Sequence, residues 1–290
     1  MITLSLHAMA TRFELVLYGD DLVRLRSAGE QAFQEIERLE CQLSVYRTDS
    51  EITWINSRAA SGSTKIEPRL FQLLSRCADL NRKTCGAFDI TVGPLMRAWG
   101  FVDRTRRIPS PDNLAITREV VGMHNVELNE ADCSIRFKKP GVELDLGGYG
   151  KGYAIERAID ILKESGIASA MLHGGTSSVF AIGAPPFEAA WKIGLSAPFT
   201  KSGESPLIEL NNTALSVSAA HGKSFELDGH NYGHVLDPQL GEPATRASAA
   251  AVTGPSPSVC EALSTALLVL GDTWLPEMQL TFPEYHGLVT

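Results

Sequence analysis

The stretch LDLGGYGKGY, residues 144–153, runs directly into the amphipathic segment AIERAIDILKES, which ends at Gly166. The pattern predicts a β-like run, a glycine-rich turn and a helix, with a lone carboxylate at Asp145 and a lysine at Lys151. Glycines let the backbone approach a ligand closely, and a helix N-terminus attracts phosphate through its free N–H groups and its dipole. The stretch matches neither of the common nucleotide patterns, GxGxxG or GxxxxGK followed by Ser or Thr. A tight turn with a hydrogen-bonded Asp145 is an equally good interpretation of this segment alone.

The composition is that of an ordinary globular protein with a modest excess of acid. Hydrophobic residues make up 44% of the 290 residues and charged residues 21%, with a formal net charge of −8. A chain of this length buries a substantial core. Basic residues cluster only at 104–107, which argues against nucleic acid or an anionic membrane as a partner. If the ligand is a polyphosphate, we expect a bridging cation or backbone amides to balance its charge.

Cysteine usage and hydropathy give expectations about the compartment. The five cysteines include no CxxC pair, so neither a disulfide framework nor a thiolate zinc site is expected. No apolar run approaches the ~20 residues of a membrane span. The first residues do not have the pattern of a signal peptide. We therefore expect a cytoplasmic protein, and a periplasmic location stays open if a targeting segment lies outside this sequence.

Hydrophobic periodicity predicts a single α+β domain over residues 1–290. Residues 12–18 alternate like a strand, a long helix capped by Asp20 or Asp21 follows, and a second helix is expected at 69–83. Residues 44–56 and 85–101 are predicted to be loops, and 102–113 an exposed connection. Later strands are predicted at 134–138, 142–146, 168–173, 179–182, 191–195, 207–210 and 214–218, and helices at 151–165 and 258–270. Strands clustered beside long helices are typical of α+β proteins.

The helix predicted at 258–270 carries two oxygen ligands on one face. Glu261 and Thr265 are four residues apart, so their side chains stack one turn from each other. A carboxylate and a hydroxyl presented together suit Mg²⁺, which keeps its other positions for water and phosphate. The alternative is a capping box, in which Glu261 reaches back to the N–H of Ser258. For this helix considered alone, the capping box is the favoured interpretation, because helix starts are more common than metal sites.

The segment GHVLDP, residues 233–238, supplies a histidine and a carboxylate. His234 can accept a proton near neutral pH, and Asp237 can orient the histidine or the substrate. A hydrogen-bonded turn histidine is the more common situation for an isolated H-x-x-D. The other histidines show no spacing typical of metal ligands.

Two further segments suit a ligand. Gly174 and Gly175 follow a β-run and precede three hydroxyl residues, which favours contact with a ligand's polar edge or, equally, a bulged strand turn. Asp89 lies beside Phe88, an aromatic residue suited to face a planar ring. Together with the glycine turn, the carboxylate–hydroxyl pair and the His/Asp loop, these segments favour phosphoryl or nucleotidyl transfer chemistry on an aromatic nucleotide.

The ordered series SVYRTDSEITWIN, GAFDITVGPLMRAWGF, LDLGGYGKGYAIERA, GGTSSVFAIG, HVLDPQLGEP and EALSTALLVLG resembles the ApbE family, the FAD:protein FMN transferases. The resemblance covers nearly the whole chain, from Met9 to about residue 285. It implies a T-fold-like α+β domain of mixed or antiparallel sheets packed with long helices. It also implies a magnesium-dependent enzyme that transfers the FMN half of FAD to a Thr or Ser hydroxyl of an acceptor protein, releasing AMP. Some members instead hydrolyse FAD to FMN and AMP.

Carried over position by position, the resemblance implies contacts to FAD from Met9, Tyr46, Ala87, Phe88, Asp89, Asp145, Lys151 and the Leu236 backbone. It implies metal ligands at the Gly148 carbonyl, Glu261, Thr265 and Ser264. His234 is the group expected to transfer the proton, with support from Asp237. These roles agree with the residue chemistry, since a divalent cation offsets pyrophosphate charge and an attacking hydroxyl needs a base.

The chain departs from the family pattern at three places. Glu261 stands where the family usually has Asp, and an added methylene displaces a ligand of a demanding octahedral site. Ser218-Ala219-Ala220 replaces the usual T-S-G, and Thr176 stands where many members have Asp. Three functions follow as hypotheses: a flavin transferase, a flavin-binding protein whose reaction site has degenerated, and an FAD pyrophosphatase that needs no acceptor protein.

Overall fold

The structure, a computed structural model, describes residues 1–200, 205–220, 224–227 and 229–290. In these ranges the helices are α1 (Leu22–Leu43), α2 (Glu51–Arg58), α3 (Pro68–Lys83), α4 (Gly93–Ala98), α5 (Pro111–Arg118), α6 (Gly150–Glu164), α7 (Pro257–Leu270) and α8 (Leu275–Thr281). The strands are β1 (Ile2–Ala8), β2 (Thr11–Tyr18), β3 (Thr64–Lys65), β4 (Val126–Asn129), β5 (Ser134–Phe137), β6 (Ser169–Gly174), β7 (Ser178–Ile182), β8 (Trp191–Gly194), β9 (Leu207–Leu210), β10 (Thr213–Ala219), β11 (Ser224–Leu227), β12 (His230–Gly233), β13 (Ala249–Gly254) and β14 (His286–Val289). The predicted α+β class is confirmed.

An antiparallel sheet with the order β1-β2-β6-β7-β10-β13-β14 organises the fold. One row of the register runs from Phe13 to Gly174, then to Ser178 and on to Ser216. The turn between β1 and β2, the turn after β6 and the last residues of β10 therefore lie at the same end of the sheet. These segments contain several of the residues predicted to bind a ligand.

The two faces of the sheet are covered differently because side chains alternate along each strand. On one face, Phe13, Leu15 and Leu17 join a large core with α1, α6 and α7. On the other face, Val16 and Tyr18 pack with residues of β8 and β9 in a smaller core. The helical layer contains α7 and the glycine turn that precedes α6, so packing against the sheet positions both of them.

The long helix and the second helix match their predicted patterns. Asp21 caps α1 by accepting a hydrogen bond from the Arg24 N–H at 3.0 Å. The apolar positions that recur at helical spacing are all buried: Leu25, Ala28, Ala32, Ile36 and Leu39. Glu67 caps α3 by accepting from the Leu70 N–H at 2.8 Å. Amphipathic periodicity with a capping residue is a local signal that the folded chain preserves.

Three predictions of local structure were wrong. Residues 44–56 are not all loop, because Ser50 caps α2 by accepting from the Thr53 N–H at 3.0 Å. Residues 85–101 contain α4. Residues 142–146 form no strand. Instead the side chain of Asn56 donates to the Leu144 carbonyl at 3.0 Å and accepts from the Leu144 N–H at 2.8 Å. An amide side chain therefore replaces the neighbouring strand that the β-rich sequence suggested.

Within the described ranges, no single helix is long and apolar enough to cross a membrane. The bent pair formed by Pro257–Leu270 and Asp272–Thr281 satisfies the length and composition criteria together, with an angle of 119° between its parts.

Candidate active site

The first turns of α6 and α7 touch at Gly152. A Cβ atom at Gly152 would lie 2.5 Å from the Pro257 carbonyl oxygen and 2.8 Å from the Ser258 Cα, closer than any side chain permits. Only glycine at this position lets the two helices approach so closely. The contact brings the glycine-rich turn before α6 next to the carboxylate of α7.

Glu261 spans this contact with both of its carboxylate oxygens. Its Oε1 pairs with the Lys151 ammonium, and its Oε2 accepts the Gly152 N–H at 2.5 Å. Glu261 is buried, and its carboxylate lies at the positive end of α6. The predicted capping box is wrong, because Ser256 caps α7 by accepting from the Val259 N–H. Glu261 reaches the start of the other helix instead.

Hydroxyl groups gather one turn further along α7. Ser264 and Thr265 each donate to the Glu261 carbonyl at 3.0 Å. The Ser218 hydroxyl lies 2.9 Å from that of Ser264 and 3.4 Å from that of Thr265. A Cβ at Gly148 would be 3.4 Å from the Thr265 hydroxyl. The structure thus brings the four predicted metal ligands together at one place.

The place of Ser218 beside these hydroxyls was not predicted from the sequence, where Ser218 stands out only as a departure from a pattern. A signal was present, because Ser216 and Ser218 alternate on one face of β10 and Ser264 also lies 3.4 Å from Ser216. Period-two spacing of serines in a strand predicts that both face the same neighbour. That neighbour is α7.

The donors at this site are hard oxygen atoms. In the described ranges, no three His, Cys, Asp or Glu side chains gather as a metal site would require. The site offers instead one carboxylate, the Thr265 hydroxyl and the backbone of Gly148. Mg²⁺ commonly binds through one or two carboxylates and takes its remaining ligands from water and substrate phosphates. The donor set therefore fits Mg²⁺ bound together with a phosphate group better than a thiophilic metal.

Asp145 and Tyr46 form the side of the site next to the glycine turn. Asp145 Oδ1 accepts the Gly147 N–H at 2.7 Å, and the Asp145 N–H donates to the Ile90 carbonyl at 2.7 Å. Asp145 therefore holds the turn in shape as well as lining it. The Tyr46 side chain is exposed, and its pKa is raised by partial desolvation and by the nearby charge of Asp145. An exposed aromatic ring beside the turn suits stacking on a planar ligand.

The Asp89 carboxylate accepts four hydrogen bonds in this region. Its Oδ1 accepts from the N–H and the hydroxyl of Thr91 at 2.7 and 2.6 Å. Its Oδ2 accepts from the Asn81 amide at 3.0 Å and from the Met123 N–H at 3.3 Å. Burial raises the pKa of Asp89, and these hydrogen bonds oppose the rise. The carboxylate is thus a fixed support for its loop.

The ring of Phe88 lies inside the protein, next to the glycine turn that precedes α6. It is 2% exposed and packs against the buried ring of Tyr149, with 5.9 Å between the ring centroids. Its edge would lie 3.9 Å from a Cβ at Gly148. Phe88 packs against the glycine turn and supports it. The loop that contains Ala87 and Phe88 can therefore offer a ligand only backbone groups at Phe88.

His234 follows β12 in a loop that Asp237 shapes. The Asp237 Oδ1 accepts the N–H groups of Gln239 and Leu240 at 2.8 and 3.1 Å, and the Asp237 N–H donates to the Glu242 carbonyl. Leu236 forms a bridge with Pro243. The carboxylate thus closes the turn after His234, an arrangement that suits the supporting role predicted for Asp237. His234 itself is half-buried.

Met9 and the two glycines lie at the end of the sheet described above. Met9 has a φ of +50° in the β1–β2 turn, and its N–H donates to Glu40 Oε1 of α1 at 2.7 Å. Gly175 has a φ of +63°, and its N–H donates to the Arg12 carbonyl at 2.8 Å. This conformation favours glycine at 175, and residues 175–177 form the turn between β6 and β7. Both segments nevertheless lie at the end of the sheet where Ser218 contacts α7.

Comparison with known proteins decides the family. The model of the ApbE family matches residues 9–282. The chain belongs to the ApbE family. A relative from Haemophilus influenzae named FAD:protein FMN transferase is 29% identical over 285 residues, covering 94% of this chain and 81% of that protein. A Klebsiella pneumoniae relative of the same name is 28% identical, covering 81% of this chain and 71% of that protein.

Solved ApbE structures share the whole architecture. The ApbE protein of Thermotoga maritima superposes with a TM-score of 0.91 at 26% identity, covering 99% of this chain and 93% of that one. The apo flavinyl transferase ApbE of Pseudomonas stutzeri gives a TM-score of 0.85 at 26% identity, covering 100% and 94%. The expected ApbE-type fold is confirmed.

Proposed function

We propose that this chain is a magnesium-dependent flavin transferase that moves FMN from FAD to a Thr or Ser hydroxyl of an acceptor protein and releases AMP. The observation that carries the proposal is the convergence of Gly148, Lys151, Glu261 and Thr265 at the contact of α6 with α7. The first turn of α6 and one lysine supply positive potential for a pyrophosphate in a protein of net charge −8. Family membership supplies the identity of the nucleotide.

FAD would lie between the glycine turn and the end of the sheet. Tyr46 would stack on a ring, and Asp145 and the backbone of residues 87–89 and 236 would bind polar edges. Lys151 would contact the pyrophosphate, since its ammonium is the cation of this site and is partly exposed. Met9, Gly174 and Gly175 would border the ligand at the end of the sheet.

Glu261, Thr265, Ser264 and the Gly148 carbonyl are the groups that would hold Mg²⁺, which when bound neutralises pyrophosphate charge during transfer. Of these four groups, Ser264 would contribute least directly to metal binding, because its hydroxyl is fully buried and donates to the Glu261 carbonyl. It holds the first turn of α7 in place beneath Thr265.

His234 would accept the proton of the acceptor hydroxyl. The hydroxyl oxygen forms a bond to the phosphorus of the FMN half, the bond from that phosphorus to the bridging oxygen breaks, and AMP leaves with the bridging oxygen. The proton moves from the hydroxyl to His234, and the flavin remains on the acceptor through a phosphoester. Asp237 keeps His234 in place by closing the turn behind it.

The proposal is tested by following AMP and labelled acceptor together. The purified chain is incubated with FAD, Mg²⁺ and a pool of synthetic peptides, each with one Thr or Ser, and AMP is quantified beside flavin fluorescence on the peptides. Equal amounts of AMP and labelled peptide, both lost on chelation of the metal, are the expected result. AMP without labelled peptide would assign an FAD pyrophosphatase. FAD bound without turnover would assign a binding protein, and a chain that binds no flavin would contradict the proposal entirely.

A further inference from the structure

The ammonium group of Lys151 is the cation that accompanies Glu261 in the described structure. The two side chains are 23% and 5% exposed, so water screens the pair weakly. A buried carboxylate that loses its cation without a replacement is strongly destabilising. A positive charge beside Glu261 Oε1 is therefore favourable, whichever cation supplies it.

The same oxygen is the one that a metal ion would use. Glu261 Oε2 is already held by the Gly152 N–H at 2.5 Å, whereas Oε1 is held by a lysine on a flexible stem. An ammonium and a divalent cation at one oxygen repel each other at short range. A pyrophosphate nearby gives the lysine a second anionic partner and removes that repulsion.

We propose that Lys151 is an internal counter-ion that occupies the cation position beside Glu261 until FAD draws it to the pyrophosphate. Binding of FAD then frees Glu261 for Mg²⁺, and binding of Mg²⁺ frees Lys151 for FAD. Because the coupling of two ligands is reciprocal, each raises the affinity of the other by the same factor. The inference rests on the proposed function only for the identity of these two ligands.

Calorimetric titration of each ligand alone tests the inference, in wild type and in Lys151→Met. Without the lysine, Glu261 is left without its cation. We therefore expect Lys151→Met to bind Mg²⁺ without FAD more tightly by about fivefold or more, the lower end of typical coupling. FAD without Mg²⁺ should bind more weakly to the same variant. A purely structural lysine would not make metal binding tighter when it is removed.

The control is Lys192→Met, which removes a lysine from an exposed pair with Glu188 and should leave both affinities unchanged. If Lys151→Met does not fold, Lys151→Gln, which keeps a hydrogen-bond donor, takes its place with the same expectation. Unchanged or weaker Mg²⁺ binding in the variant that folds would overturn the inference. Neither titration involves an acceptor or a transfer step, so its failure is distinguishable from failure of the proposed function.

Discussion

At the scale of single residues, Glu261 shows what one methylene changes. The resemblance described from the sequence implies Asp at this position, whose side chain is one methylene shorter. Glu261 instead reaches the Gly152 N–H and the Lys151 ammonium. The residue is therefore both a candidate metal ligand and the cap of another helix.

Replacement of Glu261 separates these two roles. We expect Glu261→Ala to abolish Mg²⁺-dependent AMP formation and to lower the free energy of unfolding by about 1–3 kcal/mol, because a buried N–H and an ammonium lose their acceptor. Glu261→Asp should keep metal-dependent turnover while losing part of the stability. AMP release against Mg²⁺ concentration and urea unfolding measure the two effects. Glu277→Ala, an exposed glutamate of α8, is the control, and equal stability of wild type and Glu261→Ala would refute the capping role.

Asp89 gives a second test at this scale. Four hydrogen-bond donors converge on the Asp89 carboxylate, two on each oxygen. An Asn side chain would replace one of these oxygens by an N–H₂ group, which cannot accept hydrogen bonds from the two donors that face it. We expect Asp89→Asn to lower the free energy of unfolding by roughly 2–3 kcal/mol through unsatisfied buried donors. Urea denaturation checks the value, with Asp20→Asn as an exposed control. A variant as stable as wild type would show that the loop does not depend on this carboxylate.

At the scale of elements, the site is a helix–helix contact presented at one end of a sheet. The strand register brings the Met9 turn, the Gly175 turn and Ser218 to that end. The close approach of α6 to α7 then brings the glycine turn to the hydroxyls. Neither the end of the sheet nor the contact of α6 with α7 forms the site without the other.

The glycines at the start of α6 provide a matched pair of variants. A Cβ at Gly152 would lie 2.5 Å from the Pro257 carbonyl oxygen, whereas a Cβ at Gly150 would meet its nearest neighbour at 4.0 Å. We expect Gly152→Ala to cost about 1–3 kcal/mol by overpacking and to weaken Mg²⁺ binding by separating the helices. Gly150→Ala should be neutral or stabilising by up to about 1 kcal/mol. Thermal unfolding and Mg²⁺ titration measure both, and equal behaviour of the two variants would exclude close packing as the reason for Gly152.

Local signals explain which elements could be predicted from the sequence. Helix α1 was predicted from a cap and apolar periodicity that lie within a few residues of each other, and α3 was predicted from its periodicity. The strand at 142–146 was not formed, because the side chain of Asn56, 88 residues away, takes the hydrogen bonds. The capping-box prediction was also wrong because the actual partners are distant in sequence: Glu261 contacts Gly152 and Lys151, which are 109 and 110 residues away. The family resemblance identified the candidate site residues, but only the folded structure shows which of them hold other site residues in position.

At the scale of the whole molecule, a partly buried polar network joins three helices. Glu156 of α6 pairs with Arg76 of α3 at 2.6 Å and accepts from the hydroxyls of Ser256 and Ser258 at the start of α7. Desolvation opposes ionisation of Glu156, but Arg76 and the two hydroxyls outweigh it, and the pKa of Glu156 is lowered. The network therefore fixes the helices whose contact forms the site.

This network predicts the direction of a pH effect on stability. The pKa of Glu156 is lower in the folded chain than in the unfolded one, so its contribution is complete above the unfolded pKa and is lost as the pH falls through the folded value. Urea unfolding of wild type and Glu156→Gln, compared from about pH 7 down to about pH 3, should show a difference that shrinks with acidity. A difference that stays constant over this range would contradict the assignment.

A crystal structure of the chain with FAD and Mn²⁺, whose anomalous signal locates the metal, would show directly whether the contact of α6 with α7 is the metal and pyrophosphate site. We expect Mn²⁺ in contact with Glu261 and Thr265 near the Gly148 carbonyl, at roughly the 2.1 Å typical of such hard cations. The pyrophosphate should lie at the start of α6, with the Lys151 ammonium moved from Glu261 to a phosphate oxygen. FAD bound elsewhere, or Lys151 still paired with Glu261 while the nucleotide and metal are present, would contradict this expectation.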